Sequence, residues 1–496
     1  MLPSVRVRRA GLILVGVAWF GAGCGESVRH DPARGVPGET VEGPLDARKW
    51  IAVSSSQALR LVGIDDPSAP KSKVLVSARG VGAFGAHGDR FAFATQPDPN
   101  TTVLGAVSAP AGTPLHDPWV YDGRADELVW AGDDWIFANS TVNGATGGLV
   151  KIQDWNAPLP LPQAEWALSD NGATLVARLA DDRLMVVGDL DGAEWSDPVP
   201  GDWRAFPAGN GNSLAIVGGT PWPDTGLSIS TTVVPTTAPV DRARVAWPTP
   251  DEPLLVELSQ YSTSEDATGI ELVVVNPAAP AAALDFTRTY EETGQCWVRL
   301  ADGSIALAAT DDVTVPWSLL TGELTPTAPN PLLLSTRSPL GVPGFPDFMV
   351  ASGDGSRIFV DTYDGTTSSS TVLALSVPLG PDSVVTPLFA TDGDVKIMTP
   401  DPVGHGLVIG ANLDGQFFGT ACDTGTTGCD SGPYFVSDGH TPATALPDGF
   451  YGAVWTPDGQ GVIGLQGDNV VYVDTSMPSV AQPLAVGDAF TVPKSW

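Results

Sequence analysis

Short apolar runs alternate with tight turns along most of the chain. The pattern is clearest near the end, where residues 453–475 read AVWTPDGQGVIGLQGDNVVYVDT. The turn Pro457-Asp458-Gly459 opens the apolar run 462–465, and the turn Gly467-Asp468-Asn469 opens a second run, 470–473. Asp-Gly and Gly-Asp supply the positive φ angles that tight reversals need, and Val, Ile and Tyr suit a pleated, half-buried surface. The stretch therefore predicts a β-hairpin. A lone hairpin cannot cover its own apolar face, so it needs neighbours of the same kind.

The neighbours are present. Nine more stretches carry the same pattern. They span residues 50–66 (WIAVSSSQALRLVGIDD), 84–95, 128–140, 168–192, 206–219, 254–277, 298–323, 350–365 and 395–415. Their turn glycines fall at Gly132, Gly172 and Gly211, 40 and 39 residues apart, then at Gly303, Gly355, Gly404 and Gly459, 52, 49 and 55 residues apart. Recurrence at this period is the mark of blade-like repeats. No stretch after residue 23 shows a 3.6-residue apolar period, and Pro280 breaks the Ala-rich segment 277–284. The expected class is all-β: a β-propeller of about seven or eight four-stranded blades filling residues 49–496. Ten hairpin units exceed the usual 4 to 8 blades of a ring, so some hairpins are expected to share a blade. Two smaller rings split near 235–253 are the second choice. The Pro-rich segments 235–253 and 326–346 are expected to be loops between blades.

The unit 454–463, with its Trp-Thr-Pro-Asp-Gly turn, is similar to the WD-repeat-like blades of the TolB propeller family. Ser169-Asp170-Asn171-Gly172 and Ser352-Gly353-Asp354-Gly355 look like degraded forms of that turn. The resemblance implies a ring of four-stranded blades and a role as a protein-interaction scaffold in the bacterial envelope. It brings no catalytic residues with it.

The N-terminus changes the picture of where such a ring works. Arg6, Arg8 and Arg9 precede an apolar run, 10–20, too short to span a bilayer as a helix. Gly21-Ala22-Gly23 is a small-residue cleavage region, and Cys24 follows. Residues 1–23 resemble a bacterial lipoprotein signal, with Ala22-Gly23-Cys24 matching the acylated end of its lipobox and Gly21 departing from the usual aliphatic. The resemblance implies lipidation of Cys24 and, with Gly25 next, an outer-membrane address in the cell envelope. An ordinary secretory signal would use the same small residues. Residues 24–48 then read as a flexible tether, polar and carrying Pro32, Pro37 and Pro44.

Charge narrows the partners. Formal net charge is −32, with 57 acidic and 25 basic residues; loss of residues 1–23 removes three Arg and leaves −35. Such a surface repels phosphates, so nucleic-acid partners are excluded. No glycine-rich loop is followed by Lys and no Ser stands in a Gly-x-Ser-x-Gly elbow, so nucleotide use and that hydrolase chemistry lack a motif. The expected partner is an envelope protein or a polysaccharide.

Candidate chemistry is sparse. With Cys24 acylated, Cys422 and Cys429 are expected to pair across a six-residue Gly/Thr-rich loop in an oxidising compartment, leaving Cys296 a buried thiol. Zinc is a poor alternative at this cysteine spacing. The pairs Asp65-Asp66, Asp133-Asp134, Asp181-Asp182 and Asp311-Asp312 sit between apolar runs, where solvated turns account for them. Asp189, Asp191 and Glu194 are weak candidates for calcium, as are Asp392 and Asp394; neither set has the full spacing of a calcium loop. Trp130 and Trp135 flank a turn and could stack on a sugar or anchor an interface, although burial between blades is the commoner use of Trp. No catalytic residue is assigned. The expected function is a non-enzymatic envelope lipoprotein; the alternative is a secreted hydrolase or lyase acting on glycans or phosphate esters with acidic channel residues and possible calcium. Finally, residues 50–53 and 489–492 each lie outside a complete hairpin, which predicts that the two chain ends share one blade.

Overall fold

The computed structural model describes residues 39–85, 87–98, 101–122, 125, 127–131, 135–139, 148–151, 159–160, 164–168, 174–179, 184–188, 194–195, 204–207, 213–218, 230–235, 242–246, 254–261, 267–275, 284–285, 292–300, 304–310, 317–324, 332–342, 344–391, 394–404, 406–412, 433–437 and 443–493. Among them every regular element is a strand, and the strands form ten hydrogen-bonded sheets. The chain is an all-β propeller.

Each of the ten hairpin units supplies strands to a sheet of its own. The unit at 350–365, for example, contributes to the eighth sheet, Phe345–Ala351, Arg357–Asp364, Ser369–Ser376 and Val385–Thr391. The unit at 453–475 contributes to the tenth, Phe450–Trp455, Gly461–Gln466, Asn469–Asp474 and Ala481–Val486. The expected sharing of hairpins between blades does not occur, and the sheet count is ten rather than seven or eight. The two Pro-rich segments are not plain loops either. They contain the strands Arg242–Ala246 and Leu332–Pro339, the latter an edge strand that meets its proline at the last residue, where a missing N–H costs little.

Cores lie between consecutive sheets. Leu59, Leu61, Phe91 and Phe93 join the first sheet to the second; Leu104, Leu128, Trp130 and Ile136 join the second to the third. Ile358, Leu373, Ala306 and Leu319 join the seventh to the eighth, and Phe359, Leu388, Met398 and Leu407 the eighth to the ninth. Val408, Phe450, Trp455 and Val471 continue to the tenth. Ile51, Val53, Ile463, Val470 and Leu484 then join the tenth back to the first.

That last cluster marks the seam. The first sheet takes Trp50–Ser54, Leu59–Gly63 and Lys71–Val76 from the N-terminal side and its innermost strand, Ala489–Thr491, from the other end of the chain. Ala52 faces Thr491, Val53 faces Phe490 and Ser54 faces Ala489, antiparallel. The expected sharing of one blade by both chain ends is what the structure shows.

Residues 39–48, placed with the tether by sequence, are packed. Glu39–Thr40 adds a parallel strand to the outer edge of the first sheet. Leu45 is buried among Phe91, Phe93 and Val107, and its N–H donates to the Ala111 carbonyl of the second sheet. Residues 1–38, including the segment that resembles a lipoprotein signal and Cys24, lie outside the described residues, as do Cys422 and Cys429.

Candidate functional site

In an antiparallel four-stranded blade the first and third connections lie at one end and the second at the other. The first connections of the last three sheets are built alike. In the eighth, Ser352 Oγ donates to Asp354 Oδ1 at 2.7 Å, the Ser356 N–H donates to the same oxygen at 3.0 Å, and the Arg357 N–H donates to Ser352 Oγ at 3.0 Å. Gly355 turns the chain at φ 69°. In the tenth, Thr456 Oγ1 donates to Asp458 Oδ1 at 2.8 Å, the Gly461 N–H donates to Thr456 Oγ1 at 3.1 Å, and Gly459 turns at φ 65°. The turn of the ninth puts Asp401 first: its Oδ1 accepts from the Val403 N–H at 2.9 Å, and Gly404 turns at φ 88°. The likeness between 352–355 and the Thr-Pro-Asp-Gly turn is thus carried by the same set of bonds.

These turns also touch one another. The Gly353 N–H donates to the Asp401 carbonyl at 3.2 Å. A Cβ on Gly404 would lie 2.4 Å from Asp354, and a Cβ on Gly459 would lie 2.3 Å from Asp401 Oδ1 and 2.5 Å from Val403. Lys49, immediately before the strand Trp50–Ser54 of the first sheet, forms an ion pair with Asp458. Asp65 accepts from the Arg48 and Lys49 N–H groups at 2.8 and 2.9 Å. The result is a rigid rim of turns running from the eighth sheet through the ninth and tenth to the first.

The carboxylates of this rim are engaged locally. The Ser352 hydroxyl, with the Ser356 N–H, holds the Asp354 carboxyl below its ordinary range. At Asp458 burial pushes upward, but the Lys49 ammonium and the Thr456 hydroxyl prevail and the carboxyl is held below its ordinary range. Asp66 is likewise lowered, by the Ser68 hydroxyl and N–H. Each is an anion at neutral pH whose lone pairs serve its own turn and, at Asp458, the Lys49 ammonium as well. Among the described residues no three His, Cys, Asp or Glu gather as a metal site.

What the rim exposes is aliphatic. Val403 stands on the first connection of the ninth sheet, 36% exposed. Val384 (73%), Met477 (51%) and Val480 (48%) stand on the third connections of the eighth and tenth, at the same end. Four of the six large apolar side chains exposed among the described residues therefore belong to one end of three consecutive sheets. The other two are Val120 and Phe345, the latter edge-on to Tyr363.

The residues singled out by sequence fall elsewhere. Trp130 is buried in the core between the second and third sheets, and its indole N–H donates to the Ala83 carbonyl of the second at 2.8 Å. Trp455 makes the same bond to Thr399 between the tenth and ninth, also at 2.8 Å. Both are latches between blades. Trp135 belongs to the strand Trp135–Asn139, Glu194 to Glu194–Trp195 and Cys296 to Glu292–Arg299, with side chains outside the described residues. Asp189 and Asp191 lie outside them altogether. Sequence reasoning missed Val384, Val403, Met477 and Val480. One signal was available: Val403 sits between Pro402 and Gly404, inside a turn, where an aliphatic side chain has no sheet to pack on.

No protein-family model matches the chain, and no curated protein matches it in sequence. Solved structures do. A crystal structure of a eukaryotic initiation factor is similar over 90% of this chain and 99% of its own, with TM-score 0.52 and 11% identity. Dihydro-heme d1 dehydrogenase NirN covers 91% and 77%, at TM-score 0.39 and 12% identity. The β-propeller domain of Cps50 (Swd1) from Myceliophteria thermophila covers 66% and 92%, at TM-score 0.30 and 11% identity. At such identity the likeness to the initiation factor carries the fold alone, and the other two, at TM-scores below 0.5, carry no argument.

Proposed function

We propose that this protein is a non-enzymatic scaffold of the bacterial envelope, held to a membrane through a lipid on Cys24, whose propeller binds a protein partner on the rim formed by the last three sheets. The supporting observation is the one-sided placement of Val384, Val403, Met477 and Val480 on turns that carry hydrogen bonds of their own: Gly380 N–H to Ser383 Oγ, Val403 N–H to Asp401 Oδ1, and Met477 and Val480 N–H to the Asp474 and Met477 carbonyls. Exposed aliphatic groups on a rigid base suit a protein interface: they remove apolar area from water on docking and lose little freedom in doing so. A polysaccharide would call instead for exposed aromatic faces, and Trp130 and Trp455 are buried. The basic signal and Cys24 support export and anchoring.

The test is crosslinking of the membrane-anchored protein in cells, comparing wild type with Val403→Asp/Met477→Lys. Both substitutions are on exposed turns and should leave the melting midpoint within about 2 °C, since surface changes usually fall within ~0.5 kcal/mol. The reading requires a specific partner that wild type captures and the variant loses. A partner retained by the variant would refute the rim as the interface. Intact mass of the extracted protein should show an acylated chain beginning at Cys24, and an unmodified chain would refute the anchor.

A further inference from the structure

The seam between the first and tenth sheets holds a buried cation, Arg60, with no acid buried beside it among the described residues. Along Leu59–Gly63 the side chains alternate. Leu59 and Leu61 join the core with the second sheet, and Val62 joins the core with the tenth. Arg60 shares the face of Val62. Its register partners are Val53, which belongs to the core with the tenth sheet, and Val74. Arg60 is only 7% exposed, and Ser72, opposite Val62 on the same face, is 3% exposed. Arg60 and Ser72 are therefore diagonal neighbours across one strand pair, within reach of a single small group. A β-bulge between Leu59 and Arg60 breaks the ladder at this point, a device that re-aims a side chain.

Arg60 Nε and Ser72 Oγ are buried with no hydrogen-bond partner among the described residues. Burial pushes the Arg60 guanidinium below its ordinary range, yet guanidinium stays protonated at any physiological pH. The facing residues of the tenth sheet are Val470, Tyr472, Leu484 and Ala485, and no described acid is buried between these two sheets. An uncompensated buried charge is costly, and folds that keep one supply it with an anion. This happens in a chain of net charge −32, where a carboxylate of its own would have been the readiest partner.

We propose that this seam binds one small oxyanion, a carboxylate or a phosphate group, on the Nε edge of Arg60 with the Ser72 hydroxyl as a further donor. The planar edge of a guanidinium matches two oxygens of either group. The site lies in the seam that closes the ring, so its occupant would hold the first and tenth sheets together. Any salt stabilises so acidic a chain by screening its self-repulsion. The test must therefore hold ionic strength constant with chloride.

The experiment is thermal melting of the mature protein titrated with sodium acetate and, separately, with inorganic phosphate, in wild type, Ser72→Ala and Arg60→Met. The expected result is a saturable rise in the wild-type midpoint, as ligand linkage requires, with apparent affinity at least about tenfold weaker in Arg60→Met and reduced in Ser72→Ala. Tighter binding of phosphate would identify a phosphoryl-bearing ligand, and tighter binding of acetate a carboxylate. A wild-type midpoint that responds to neither probe beyond chloride overturns the proposal. So does an equal response in wild type and Arg60→Met. Should Arg60→Met fail to fold, calorimetric titration of wild type and Ser72→Ala decides: saturable heat weakened by the Ser72 change supports the site, and its absence overturns it.

Discussion

At single residues, two turns of the tenth sheet, one on the rim and one at the opposite end, separate two costs that glycine removes. Gly459 and Gly467 both sit in the left-handed region, at φ 65° and 57°. A Cβ at Gly467 meets nothing within 4 Å, whereas one at Gly459 would press into Asp401 and Val403. Left-handed backbone costs an ordinary residue about 1–2 kcal/mol. Gly467→Ala should therefore lose roughly that much and no more. Gly459→Ala should lose it again and also displace the neighbouring turn, so about 3 kcal/mol is expected. Denaturant melts of the two variants check the difference. Equal losses would mean that the ninth and tenth turns are not in contact. Asp458 and Asp354 were legible as turn formers because Asp beside Gly has few other uses between two apolar runs. The exposed Val384 and Met477 were not legible, because residue type alone does not say whether an aliphatic side chain falls inside a sheet or one step past its end.

At the level of strands and sheets, indole latches join neighbouring blades. Trp130 and Trp455 each sit on the innermost strand of a sheet, and each bonds a carbonyl on the innermost strand of the sheet before. Replacing Trp455 with Phe keeps an aromatic ring in the core but leaves the Thr399 carbonyl without its donor. A loss of about 1–3 kcal/mol is expected, the penalty for one buried unsatisfied group. Trp130→Phe should behave alike through Ala83. Urea midpoints that match wild type would show that water replaces the indole at no cost. The period of the chain foretold these elements well. Ten hairpins were visible, and ten sheets resulted. The number of sheets was less legible than their kind, because a run of hairpins does not say which of them share a sheet; among the described residues each unit enters a sheet of its own. The strand Leu332–Pro339 was hidden for a different reason: prolines at 326, 329, 331 and 339 suggested a loop, yet only Pro339 belongs to the strand, at its last residue.

For the whole molecule, closure is the decisive contact, because one short strand from the C-terminal end completes a sheet otherwise made at the N-terminal end. Deleting residues 487–496 removes Ala489–Thr491. It bares the edge of Trp50–Ser54 and uncovers Ile51 and Val53, both fully buried in the core shared with the tenth sheet. It also removes the Arg79–Asp488 ion pair, which is exposed and contributes little. Uncovering apolar side chains of this size should cost about 3 kcal/mol or more. A bared strand edge should also promote association. The loss should not stay local. Ile463, Leu465 and Val470 share the core with Ile51 and Val53, so amide protection should fall in the tenth sheet as well as the first. Loss confined to residues 51–54 would mean the seam is a frayed edge rather than a closure. Lys49 and Asp458 provide the complementary test in acid. The folded carboxyl is held below its ordinary value of 3.8, so its contribution is fully present above pH 3.8 and disappears as pH falls through the lowered value. Both side chains are about one-third exposed, so that contribution is about 1 kcal/mol at most. Asp458→Asn should therefore be slightly less stable than wild type at pH 7, and the gap should close as pH falls below 3.8 through the lowered value. A gap that persists unchanged in acid would show that the Asp458 side chain acts through the shape of its turn and not through its charge on Lys49.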